Sequence, residues 1–199
     1  MKLDIKYYTK GGKIMKDYSY HKKQISQELF SILDEISKHM ATAEMDEFVV
    51  SDSDKSIIGT VGLAVCDGIF FYDRKNKWGM VGHAVGDTKI SLLSEMLKSL
   101  PQEKEIVLEY SIITGYDNIR NGNYSDTNKM LEYLKNNCPE NIRLIPLQTD
   151  LGIRVGSSYG NEFYFDVKSG KTASQILDYY DYLTIPFSND KLNNKGISK

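Results

Sequence analysis

The chain has 199 residues, 25 Lys and Arg against 27 Asp and Glu, a formal net charge of -2, and 41% hydrophobic with 11% aromatic content. Such a composition suits one globular domain with a real core. It excludes the strong positive field that nucleic-acid or anionic-membrane binding needs.

The opening MKLDIKYYTK has no apolar core of signal-peptide length, and no later apolar run approaches a membrane span. The expectation is therefore a cytoplasmic protein that is not membrane-embedded and does not bind nucleic acid. The two cysteines, Cys66 and Cys138, are too few for a metal cluster or a disulfide-built fold, although one disulfide between them stays open.

In chain order, KLDIKYY alternates like a strand and meets a Gly11-Gly12 turn. From residue 20 to 40 the apolar residues Ile25, Leu29, Ile32, Leu33, Ile36 and Met40 recur at helical spacing, which predicts an amphipathic helix. A β-rich centre follows, with strands expected over 47–50, 56–60, 68–72 and 78–83. Asp87 or Thr88 is placed to cap a helix carrying Ile90, Leu93, Met96 and Leu97, stopped by Pro101. The run 106–113 reads as a buried strand, and Ser125 or Asp126 opens a helix to about 136, with Cys138 at its stop. Strands are expected over 143–146, 153–155 and 162–167, then a short helix over 173–183. The organisation expected is an N-terminal strand-and-helix extension over 1–42, a main domain over 43–186 and a disordered tail over 187–199. The fold class expected is α+β, with β-sandwich-like central sheets flanked by helices.

The stretch GTVGLAVCDGIFFYDRKNKWGMVGHA, residues 59–84, carries the chemistry. It sets Thr60, Cys66 and His83 on or beside adjoining strands, and a turn over 73–77 folds the second strand back on the first. Cys66 and His83 then meet at the end opposite that turn. A free thiol is mostly protonated at neutral pH, and a nearby imidazole supplies the thiolate. Glycines around the pair let backbone N–H groups approach an anionic oxygen. On the residues alone, a cysteine in a β-rich core is more often an inert hydrophobe than a nucleophile, and a strand histidine more often a structural residue. Spacing does not decide between these.

The run Thr60-Val61-Gly62-Leu63-Ala64-Val65-Cys66, followed by Tyr72-Asp73 and Gly79-Met80-Val81-Gly82-His83, resembles the CheD family of chemoreceptor glutamine deamidases without a gap. That family carries Thr-x-Gly-Leu-Gly-Ser-Cys, an Asp-containing turn and Gly-x-x-x-His, and shares its architecture with the cytotoxic necrotizing factor deamidases. The likeness spans about residues 43 to 172, with Ile113-Thr114-Gly115 where the family has a Gly-Gly pair after a strand.

The resemblance implies a CheD-like cysteine hydrolase architecture and a protein-glutamine deamidase, with Cys66 as nucleophile, His83 as base and Thr60 orienting the imidazole. It further implies an oxyanion and substrate cleft at Val65, Gly62 and Gly115, and no metal or organic cofactor. The partners implied are a protein bearing a target glutamine, with chemoreceptor helices the first candidate, and a CheC-like phosphatase. The chain departs from the family at Ala64-Val65, where Gly-Ser is usual, and a valine at positive φ would alter the oxyanion hole. The N-terminal block has no counterpart in a minimal CheD-like domain, which motivates a deamidase with another protein target. The Ala64-Val65 replacement motivates a third reading, a binding module whose activity has decayed.

Overall fold

The computed structural model describes residues 9–10, 13–14, 34–101, 105–155 and 160–173. The chain divides into two compact units, residues 1–37 and 38–199. In the first, β1 (Thr9–Lys10) and β2 (Lys13–Ile14) pair antiparallel, and the predicted Gly11-Gly12 turn lies outside the described residues. The predicted helix over 20–40 lies outside the described residues as far as 33; residues 34–38 are helical. The predicted helix over 173–183 and the tail lie outside them too, apart from Ala173, which is not helical.

The second unit is α+β, with two mixed sheets and a layer of helices. One sheet has the order β10 (Arg154–Val155), β11 (Asn161–Asp166), β5 (Ile57–Leu63), β3 (Met40–Ala43), with β12 (Lys171–Thr172) also paired to β11. The other has the order β4 (Phe48–Val50), β7 (Trp78–Ala84), β6 (Asp67–Asp73), β8 (Ile106–Ile113), β9 (Ile142–Pro146). Pairing is antiparallel except for β3 with β5 and β8 with β9.

β6 is buried at all seven positions, because both of its faces are covered. Phe70 and Tyr72 point into the layer between the sheets, where they meet Ile58, Phe163 and Phe165. The rings of Phe70 and Phe165 pack edge-on with centroids 5.0 Å apart. Ile69 and Phe71 point the other way, towards α1 (Lys89–Lys98) and α3 (Ser125–Asn137), and meet Leu93, Met96 and Met130. Among the described residues no helix is long and apolar enough to cross a membrane.

Four local expectations change. Met40 begins β3 instead of closing a helix, since its strand finds a parallel partner in β5, and this pairing places residues 40–43 with the second unit. The Ser169-Gly170-Lys171 stretch, which reads as the turn that ends the strand over 162–167, gives Lys171 to β12. The Gly- and Asn-rich loop after β8 contains α2 (Tyr116–Arg120). Neither predicted cap forms a side-chain capping bond: Thr88 and Tyr124 occupy the N-cap positions, and the Thr88 hydroxyl is bonded to Asp46 instead.

Candidate active site

The β6–β7 hairpin is set by its turn, where the Asp73 carboxylate accepts the Asn76 N–H at 2.9 Å. Its register aligns Gly68 with His83 and Asp67 with Ala84. Cys66 therefore precedes β6 at the end opposite the turn, one diagonal step from His83 and on the same face. Residues alternating with Met80 and Ala84, which pack towards the helices, face the other sheet. That places Val81 and His83 in the inter-sheet layer, the layer that also holds Cys66.

Thr60 does not adjoin these strands. It lies on β5, in the opposite sheet, and reaches His83 across the layer: Thr60 Oγ1 is 2.9 Å from His83 Nδ1. The same hydroxyl donates to the Ala43 carbonyl of β3 at 2.9 Å. A carbonyl can only accept, so the single Thr60 proton goes to Ala43. The hydroxyl must then accept the proton of Nδ1. Nε2 is left with the lone pair, and among the described residues it has no hydrogen-bond partner. A ring that is only 4% exposed thus keeps a basic nitrogen unused. Cys66 makes no hydrogen bond to it in this structure.

The His83 backbone is fixed as well. Its carbonyl accepts the Asp46 N–H at 2.8 Å, and its N–H donates to Glu47 at 3.0 Å. Burial holds the imidazole below its ordinary pKa, partly opposed by the charges of Glu44 and Asp46. Burial likewise pushes the Cys66 thiol up, against the pull of the Lys89 ammonium and with a further push from Asp67 and Asp46. At neutral pH the pair is therefore a thiol beside a neutral imidazole.

The turn from β5 to β6 presents Cys66. Gly62, at φ 74°, takes the left-handed conformation that reverses the chain, and its carbonyl accepts the Ala64 N–H at 2.8 Å. Val65 is not at positive φ, so the Ala64-Val65 departure puts no strain on the turn; the Val65 side chain is 57% exposed. The Ala64 carbonyl accepts the Asp117 N–H at 2.9 Å, and the Val65 carbonyl accepts the Asn118 side-chain amide at 3.0 Å. Both carbonyls point at the start of α2. In trans peptides the next N–H points the opposite way, so the amides of Val65 and Cys66 face away from α2 together. Among the described residues neither donates a hydrogen bond.

Gly115 stands beside the nucleophile loop. Its N–H donates to Asp67 Oδ1 at 3.0 Å, so it is not free to bind an oxyanion. It acts by close approach, since a Cβ there would stand 2.3 Å from the Cys66 carbonyl oxygen and 2.4 Å from that of Ala64. Gly62 forms the turn, and among the described residues the Val65 N–H stands unbonded beside that of Cys66.

Lys89, Asp67 and Asn118 escaped the sequence reading as site residues. Lys89 falls on the apolar stripe of α1 with Leu92, Leu93 and Met96, and Asp67 begins a strand buried on both faces. Opposite charges at two such positions are the signal that pairs them: Lys89 Nζ is 3.1 Å from Asp67 Oδ2. Asp67 shares the face of Ile69 and Phe71, away from the inter-sheet layer. Among the described residues no group of three His, Cys, Asp or Glu is arranged to hold a metal ion. Cys138 is a partly buried free thiol at the end of α3, and its sulfur donates to the Ile142 carbonyl at 3.6 Å. No protein-family model matches the chain, and no curated relative does.

Proposed function

We propose that this chain is a CheD-like protein-glutamine deamidase that uses Cys66 as nucleophile and His83 as general base. The observation that carries the reading is the relay from the Ala43 carbonyl through Thr60 to His83 Nδ1. Among the described residues it leaves Nε2 as a buried base without a hydrogen-bond partner, in the layer that holds Cys66.

In this reading the Cys66 sulfur attacks the side-chain carbonyl carbon of a glutamine while its proton passes to His83 Nε2. The carbonyl oxygen becomes an oxyanion, and the outward amides of Val65 and Cys66 are the donors for it. His83 gives the proton to the departing nitrogen, the C–N bond breaks and ammonia leaves a thioester. Water, deprotonated by His83, then attacks the thioester carbon. The C–S bond breaks, the thiol recovers its proton and glutamate remains.

Chemoreceptor cytoplasmic helices are the first substrate to test, and a CheC-like phosphatase is the further partner the resemblance suggests. The separate unit at residues 1–37 favours a second reading, in which the same chemistry acts on another protein. Incubation with a glutamine-bearing chemoreceptor fragment should release ammonia and add about 1 Da per modified glutamine, with both signals lost in Cys66→Ala and His83→Ala. Turnover of other glutamine proteins but not the fragment would move the assignment to the second reading. Turnover that persists without Cys66 would remove both.

A further inference from the structure

We propose that Lys89 is a positioning residue for the nucleophile loop: held between Asp67 and Asp126, its ammonium fixes the Val65 carbonyl so that the Cys66 N–H is presented to the substrate oxygen. The proposal rests on the reading of Cys66 as the nucleophile.

Lys89 is the first residue of α1 and only 4% exposed. Its ammonium lies 3.1 Å from Asp67 Oδ2, 3.2 Å from Asp126 Oδ2 and 3.4 Å from the Val65 carbonyl oxygen. The ammonium therefore donates hydrogen bonds to Asp126 and to the Val65 carbonyl and is ion-paired with Asp67. Asp67 extends the same frame, because its other oxygen accepts the Gly115 N–H and Gly115 lies against the Cys66 and Ala64 carbonyls. The peptide between Val65 and Cys66 is thus gripped from two sides, by Lys89 and by the Asn118 amide.

Stability alone does not call for this arrangement. A buried ion pair can often be exchanged for apolar residues at little or no cost to folding. What an apolar pair could not do is hold a carbonyl oxygen, and the carbonyl held here belongs to the peptide whose N–H is that of the nucleophile. The ammonium also lowers the charge penalty for a thiolate at Cys66. The charged and titratable groups acting on that thiol are Lys89 from α1, Asp67 from β6 and Asp46 from the turn before β4, with His83 on the same face of β7.

The test compares Lys89→Met, the double variant D67N/K89M, Asn118→Ala and the control Lys129→Met, whose exposed lysine only shares Asp126. Two readouts are taken: kcat and KM for ammonia release from the chemoreceptor fragment, and the pH profile of Cys66 alkylation by iodoacetamide. Both Lys89 variants should lose about tenfold to a hundredfold in kcat with KM within about twofold, as expected when an oxyanion donor is misplaced. Asn118→Ala should lose less, in the same parameter, and Lys129→Met should match the wild type. The alkylation profile should move to higher pH in Lys89→Met, and less far in the double variant, where the Asp67 charge is removed too.

If Lys89→Met fails to fold because Asp67 is left unpaired, the double variant carries the comparison. A folded double variant with wild-type kcat and an unmoved alkylation profile overturns the proposal, as does a loss confined to melting temperature. Wild-type protein that turns over no glutamine substrate defeats the deamidase reading instead. The alkylation profile then still decides whether Lys89 acts on Cys66.

Discussion

The hydrogen bond between Thr60 and His83 joins the two sheets and fixes which imidazole nitrogen carries the proton. Thr60 can play this part because its own proton is committed to Ala43. Replacing the hydroxyl with a methyl in Thr60→Val removes the group that bridges the Nδ1 proton and the Ala43 carbonyl. We expect kcat to fall at least about tenfold and stability to fall by about 1–3 kcal/mol, while Thr60→Ser keeps most of both. Nitrogen chemical shifts of the imidazole should show the Nδ1–H tautomer in the wild type and a mixture in Thr60→Val.

Stability should depend on pH through His83. The folded chain holds this imidazole below its ordinary value of 6.5 because burial disfavours the cation. The unfolded chain therefore binds the extra proton first as pH falls. The contribution to stability is complete above pH 6.5 and is lost as pH drops through the lower folded value. Melting temperatures recorded from about pH 7.5 to about pH 5 should decline on the acid side, and His83→Gln should flatten that part of the decline. Turnover should share the acid limb, since only the neutral ring can accept the thiol proton.

Val65→Ser restores a polar residue just before the nucleophile and tests whether the valine matters. Its side chain is mostly in solvent and its φ is not left-handed. The substitution should change stability by no more than about 0.5 kcal/mol and leave kcat within about twofold, because the loop is held by its carbonyls. Denaturant unfolding and steady-state kinetics measure the two.

Gly115→Ala should be costly although the change is one methyl. The added carbon would fall against the Cys66 and Ala64 carbonyl oxygens, the second of which is held by the Asp117 N–H. A loss of about 2 kcal/mol or more is expected, with Cys66 alkylation slowed in the fraction that folds. A variant that matches the wild type in both would show that the loop has more room than its geometry indicates.

Local periodicity made much of the fold legible. The apolar runs in DGIFFYD and WGMVGHA, with polar residues between them, mark β6, β7 and their turn. The stripes of α1 and α3 followed from helical spacing. β3 was hidden because MATA has good helix formers and continues a helical pattern; it becomes a strand only through its parallel partner β5. The sheet assignment of Thr60 was hidden for a related reason. β5 pairs with β11, far along the chain, and no local pattern reports such a partner. The cysteine–histidine pair was visible as residues, whereas its support was not. That support runs through the Ala43, Ala64 and Val65 carbonyls, which every sequence possesses.

The central claim is that His83 makes Cys66 reactive, and the second-order rate of iodoacetamide alkylation at Cys66 measures it without any assumption about substrate. Peptide mass spectrometry reads Cys66 and Cys138 in the same sample. Near neutral pH, Cys66 should react faster than Cys138 in the wild type and lose at least about tenfold in rate in His83→Gln, with Cys138 unchanged. Equal rates at the two cysteines, with no response of Cys66 to the loss of His83, would contradict the account.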